Sequence, residues 1–221
     1  MKYYSIAIDG PAASGKSTAA KKVSRILGFL YVDTGAMYRA FTLHMLNLSL
    51  DCKSREDAIK ALESFHVSED RNGHVFLNGK DVTDRVRQPD VSSNVSYACA
   101  HKEVREKCVA IQREMAKTDS VCMDGRDIGT VVLKNADLKI YQVASVEARA
   151  NRRYLENQKR GIPCDLKEIE KDIEKRDYID SHRENSPLVK ADDAILLDTS
   201  DMTIDEEVNA ILELFRKKVG A

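Results

Sequence analysis

The chain reads as an α/β protein built on a five-stranded parallel sheet flanked by helices, with a small antiparallel insertion and a helical lid. Three observations point there. Short apolar, β-rich runs alternate with longer helical patterns, the rhythm of a doubly wound sheet. The first run feeds a glycine-rich turn that opens directly into a helix. One central stretch breaks the rhythm with two Asn-Gly turns.

The predicted strands are 3–8, 29–32, 120–124, 138–143 and 194–198, each apolar enough to be buried on both faces. Helical patterns fill 16–27, 35–48, 101–117, 146–160, 166–183 and 204–219. Ser54–Asp57, Asp165–Glu168 and Thr203–Glu206 have the spacing of helix-start caps. Between Phe65 and Asp84, short alternating runs flank Asn72-Gly73 and Asn78-Gly79, so a small antiparallel unit outside the main sheet is expected over about 63–95.

After the first strand come Gly10, Pro11, Ala12, Ala13, Ser14, Gly15, Lys16, Ser17 and Thr18, which match G-x-x-x-x-G-K-[ST]. Two glycines let successive N–H groups turn inward, and the new helix adds its positive end. Lys16 would neutralise phosphate charge and the Ser17 hydroxyl would sit on Mg²⁺. Nucleoside triphosphate binding follows from this loop; the acceptor does not.

Composition narrows the class. The 221 residues are 43% hydrophobic and 32% charged with a formal net charge of −1, as in ordinary globular proteins. Nothing in that balance marks a nucleic-acid or membrane partner. No apolar run spans a bilayer, and the first strand begins too early for a signal peptide. Five scattered cysteines form no metal spacing, so a reduced, cytoplasmic protein with cysteines as core filler is expected.

Three charged groups remain. Asp33–Arg39 opens the helix after the second strand; Thr34 and Arg39 suit an anion there, although a capped helix with a solvated Arg39 reads equally well. Asp124 ends the third strand, where it can hold Mg²⁺ through water, and Gly125, Arg126 and Asp127 form a turn that either projects into the crevice or is a surface turn with a local ion pair. Arg149, Arg152 and Arg153 share a helical face, either paired with Glu147 or Glu156 or carried on a moving flap. Gly161–Pro163 supplies a flap tip.

With IDGPAASGKST, DTGAMYR, MDGRDIGTVV and RDYIDSHRENSPL in place, the whole chain resembles the bacterial cytidylate kinases, within the nucleoside monophosphate kinases. The resemblance implies a phosphate-loop NTPase fold and one kinase domain. Its core would be 1–62, 96–147 and 184–221, its monophosphate-binding insertion about 63–95 and its lid about 148–183. It implies phosphorylation of CMP and dCMP by ATP with Mg²⁺, the loop holding ATP. It also implies that Arg39 and Arg126 clamp the CMP phosphate, that Asp127, Ser96 and Arg105 contact the base, and that Thr34, Tyr38 and Gly125 belong to the CMP site. Arg176, Asp180 and Arg183 would hold the sugar and close over the phosphates. Lys16, Arg126, Arg149, Arg152, Arg153 and Arg183 would stabilise the transferring group. Relatives carry Lys-Gly-Thr where this chain has Lys-Ser-Thr, so either Ser17 or Thr18 ligates the metal. A monomer is expected. The rival is another small kinase, for UMP, AMP, dTMP or a metabolite such as shikimate. A GTPase would need N-K-x-D, which is missing from the sequence.

Overall fold

The computed structural model describes residues 2–70 and 73–220. The chain begins with β1 (Ser5–Asp9), α1 (Lys16–Leu27), β2 (Leu30–Asp33), α2 (Thr34–Asn47) and α3 (Arg55–Leu62). Three short strands follow, β3 (Val67–Glu69), β4 (Val75–Leu77) and β5 (Lys80–Asp81), then α4 (Pro89–Ala98) and α5 (Lys102–Thr118). The second half holds β6 (Val121–Gly125), β7 (Leu138–Val143), α6 (Val146–Lys159), α7 (Leu166–His182), β8 (Ile195–Asp198) and α8 (Ile204–Val219).

The five expected strands form one parallel sheet, ordered β2-β6-β1-β7-β8. Their side chains alternate between faces. Ile6, Ile8, Cys122, Leu138 and Ile140 pack under α1 and α8 with Val23, Ile211 and Phe215. Ala7, Val32, Val121 and Met123 face Val109 of α5 and the turn at Ile128–Val132. Because β2, β6 and β1 are neighbours running the same way, their carboxyl ends bring the loop after Asp9, the turn after Asp33 and the turn after Asp124 together.

The antiparallel unit is real but narrower than its expected span. Strands β3, β4 and β5 pair over 67–81. Asn78 (φ 49°) and Gly79 (φ 80°) both sit in the left-handed region between the paired Leu77 and Lys80, the backbone of a primed two-residue hairpin. Asn72, expected in the other turn, lies outside the described residues; the strands on either side of it do pair, Glu69 against Val75. Strands of two or three residues cannot hold a sheet alone. They share a core with α2 instead: Phe65, Val75 and Leu77 pack with Met37, Phe41 and Met45, and the Phe41 and Phe65 rings meet edge to face at 5.0 Å.

Two helices, α3 and α4, fall outside the expected set. Helix α3 starts at the anticipated cap, where Ser54 Oγ accepts from Asp57 N, but spans only eight residues. Helix α4 is rich in Ser and Asn, which weaken helical propensity, and it forms because Val91, Val95 and Ala98 bury against the α2 cluster. Thr203 makes a full capping box with Glu206, and Asp165 caps α7 through Glu168 N.

Asp9 ties the sheet to the turn beyond β6. Its carboxylate accepts from Ile128 N (2.8 Å) and Gly129 N (2.7 Å). Burial nevertheless raises its pKa from 3.8 to about 6. The cysteines are free; Cys52, Cys99, Cys108 and Cys122 are buried. Among the described residues no helix is long and apolar enough to cross a membrane.

Two stability predictions arise from this packing. Phe65→Ala removes a fully buried ring and should cost about 3–5 kcal/mol in urea unfolding; a loss below about 1 kcal/mol would mean that the insertion does not depend on α2. Asp9→Ala strands two buried N–H groups and should cost about 1–3 kcal/mol. With the folded pKa raised, the protonation-linked contribution of Asp9 is complete below its ordinary 3.8 and is lost as pH rises through about 6. The stability–pH curve of Asp9→Ala should be flatter across that window than that of the parent.

Candidate active site

The glycine-rich loop lies against β7. A side chain at Gly10 would put its Cβ 1.9 Å from Gln142 O, so only glycine fits that approach. The Ser14 carbonyl is held by Gln142 Nε2 (2.6 Å), Arg152 Nη1 (2.9 Å) and Thr199 Oγ1 (3.2 Å). Lys16 Nζ donates back across the loop to Pro11 O (2.6 Å) and Ser14 Oγ (3.2 Å). Burial, with Arg126 adding to it, lowers the Lys16 pKa to about 7. Such a lysine gains strongly from an anion.

Next to the loop, Asp124 gathers hydroxyls from three elements. Ser17 Oγ donates to Oδ2 and Tyr31 Oη to Oδ1, both at 2.8 Å, while Thr34 Oγ1 donates to its carbonyl at 2.7 Å. Burial and the charge of Asp33 raise its pKa. Ser17 therefore points at Asp124, whereas Thr18 is an exposed residue. Gly125 is required, since a Cβ there would lie 2.6 Å from Thr34 Oγ1.

One cavity of about 490 Å³ joins these groups to the other charged turns. Asp33 caps α2 through Ala36 N (2.7 Å) and holds Arg39 Nη2 (3.2 Å) and Arg87 Nη2 (3.0 Å). Asp33 thus caps the helix, and Arg39 pairs with it at the cavity wall instead of standing in solvent. Asp180 on α7 takes Arg126 Nε (2.8 Å) and Ser96 Oγ (3.4 Å) and stands 3.7 Å from Arg183 Nη1. Arg105 Nη2 donates to Asp127 Oδ2 at 2.5 Å, its Nη1 to Cys99 O at 3.1 Å, and its guanidinium lies over the Tyr38 ring.

Charge balance explains what this space can do. Nine cationic and six acidic side chains of the described residues line the cavity. Arg39 Nε, Arg176 Nε and Arg183 Nη2 are buried and make no hydrogen bond among the described residues, Arg183 Nη2 standing 4.0 Å from Asp127 Oδ1. Burial lowers the Arg176 pKa to about 10 despite the opposing pull of Asp180, and Arg126, Arg153 and Arg39 push the same way as burial. Unsatisfied donors and surplus positive charge in a shielded cleft suit an anion with many oxygens.

Not every expected residue reaches the cavity. Gly10 and Pro11 lie outside its lining, as does Arg149. Arg149 Nε donates to Ala144 O (2.9 Å), and its Nη1 contacts Ala12 O (3.2 Å) and Asp177 (2.6 Å). Arg152 lines the cavity but also donates to Thr199 O and faces Glu207 at 3.3 Å. Arg153 pairs with Glu156 at 3.2 Å, as helical spacing allowed. Asp9, Arg87, Gln142, Asp177 and Glu207 were not anticipated. Arg87 meets Asp33 across 54 positions of sequence, and Gln142 meets Ser14 across 128, so no local pattern marks either.

Known proteins resemble the chain over nearly its whole length. The chain is 51% identical to a cytidylate kinase of Lactobacillus johnsonii over 216 residues, covering 96% of this chain and 94% of that one. It is 48% identical to a cytidylate kinase of Enterococcus faecalis over 221 residues, covering 99% and 98%. Among solved structures, an uncharacterized protein from Eubacterium ventriosum shares the fold, with a TM-score of 0.53 at 13% identity over 98% of this chain and 99% of that one. The family match for cytidylate kinase spans residues 6–217, and the chain belongs to that family.

Proposed function

We propose that the protein transfers the γ-phosphoryl group of ATP to CMP or dCMP, giving ADP and CDP or dCDP. The observation that carries the acceptor's identity is the buried Arg105–Asp127 pair, held in the same cavity as the phosphate loop. A carboxylate accepts from the cytosine 4-amino group, and a guanidinium donates to the O2/N3 edge. Uracil offers a carbonyl where cytosine offers the amine, so Asp127 would repel it. Relatives named cytidylate kinase support the same acceptor.

In this account residues 10–18 hold the ATP phosphates, with Lys16 on the β/γ side. Arg39, Arg126 and Arg183 clamp the acceptor phosphate, with Thr34 and Gly125 at its edge. Ser96, Arg105 and Asp127 read the base beside Tyr38. Arg176 and Asp180 bind the sugar, Asp180 accepting from its hydroxyls. An acceptor phosphate oxygen forms the new bond to the γ-phosphorus as the bond to the bridging β,γ-oxygen breaks, and ADP leaves. That phosphate is ionised at neutral pH, so no general base is needed. Catalysis is alignment plus charge stabilisation in a cleft that excludes water, with Arg152 and Arg153 on the lid.

Mg²⁺ fits the hard oxygen donors beside the loop, Ser17 Oγ with Asp124, the latter through water. Among the described residues no three or more His, Cys, Asp or Glu side chains could hold a metal, so substrate phosphates would complete its shell. When bound, the ion would neutralise charge on the transferring group. The Ser17–Asp124 contact favours Ser17 over Thr18 as the ligand. Residues 63–95 would serve as the acceptor-binding insertion and 148–183 as the lid.

Two experiments test this account. Lys16→Ala should reduce CMP-dependent ADP release by at least about a hundredfold, the scale of losing a transition-state charge contact; near-parental turnover would remove the loop from the active site. Asp127→Ala should lower the ratio of kcat/KM for CMP over UMP by about tenfold or more. An unchanged ratio would take base reading away from Asp127. Preferred release with UMP, AMP, dTMP or shikimate would identify a different small kinase.

A further inference from the structure

The lid hairpin docks on the phosphate loop itself. Its small apolar cluster, Ala150, Ile169 and Ile173, takes in Ala13 from the loop. Ala13 has φ 60°, a left-handed conformation unusual for a residue with a Cβ. The loop therefore holds a strained residue while its methyl completes the core of another element. One position earlier, both backbone groups of Ala12 are engaged. Asp177 Oδ1 accepts from Ala12 N at 3.4 Å, and Arg149 Nη1 donates to Ala12 O at 3.2 Å. Arg149 and Asp177 bond to each other at 2.6 Å, one from each lid helix.

Helix α7 also faces the acceptor. Arg176, Asp180 and Arg183, at its carboxyl end, line the cavity, and Asp180 holds Arg126. Asp177 follows Arg176 directly and points to the loop instead. A helix is stiff over one turn, so a ligand that fixes Arg176 and Asp180 also fixes Asp177, and through it the backbone of Ala12.

Resting on the functional reading above, we propose that Asp177 is a positioning residue that couples the acceptor site to the ATP site, acting through Arg149 and the Ala12 backbone. Arg149 then shapes the loop rather than touching the transferring group. Coupling of this kind is reciprocal: CMP tightens ATP binding by the factor by which ATP tightens CMP binding.

The test is titration of a non-hydrolysable ATP analogue with Mg²⁺, with and without saturating CMP, beside steady-state kinetics. The parent should bind the analogue more tightly when CMP is present. In Asp177→Asn that ratio should fall towards one and the ATP KM should rise about tenfold, the scale of a charge-assisted hydrogen bond. CMP affinity in the absence of nucleotide triphosphate should change far less. Asp177→Glu, which keeps the charge, should recover part of the coupling. Ala13→Gly keeps the left-handed backbone without strain but removes the methyl, and should weaken coupling in the same direction. It also serves, with Arg149→Lys, if Asp177→Asn does not fold. A parental coupling ratio and ATP KM in the folded variants would overturn the proposal, as would a parent whose analogue affinity ignores CMP. A parent that releases no ADP with CMP would instead sink the functional reading, and this proposal with it.

Discussion

The structure depends on keeping more positive than negative charge in one cleft where many of the charged side chains are buried. Like charges at such distances repel strongly once the dielectric falls. The protein limits that cost by setting single acids between two cations: Asp33 holds Arg39 and Arg87, and Asp180 holds Arg126 with Arg183 nearby. Burial, with neighbouring cations adding to it, still lowers the Lys16 and Arg176 pKa values. A bound phosphate would relieve this repulsion, and cations fixed in advance need no reorganisation as charge shifts between oxygens.

Much of the fold serves to hold those groups still. The sheet supplies a packed base, and Asp9 locks the turn after β6 to the end of β1 through two backbone bonds. The insertion borrows the core of α2, so Arg87 arrives beside Asp33 on a supported segment. The α6–α7 hairpin has a small apolar core, and Ala13 of the loop packs against it.

Local signals were strongest where backbone chemistry leaves few choices. Asn78-Gly79 foretold a turn with two left-handed residues, and both adopt that conformation. Thr203 and Glu206 foretold a helix start, and both capping bonds form. Helix α4 was not foreseen, because its Ser and Asn argue against helix while its burial, which decides the matter, is not local. Arg149 shared a helical face with Arg152 and Arg153, yet one face of a helix can meet two different neighbours. Arg149 meets the loop and Arg152 lines the cavity.

By itself, the sequence determined the alternation of strands and helices, the phosphate loop and the charged turns at strand ends. These follow from periodicity, glycine geometry and capping, all set within a few residues. Family likeness extended this to the kinase class. Only the tertiary structure decided which charges meet: that Asp33 serves Arg87, that Gln142 holds Ser14, and that Asp177 reaches Ala12 across 165 positions. Ion pairs and buried hydrogen bonds depend on distance in space, and sheet order sets that distance independently of separation along the chain.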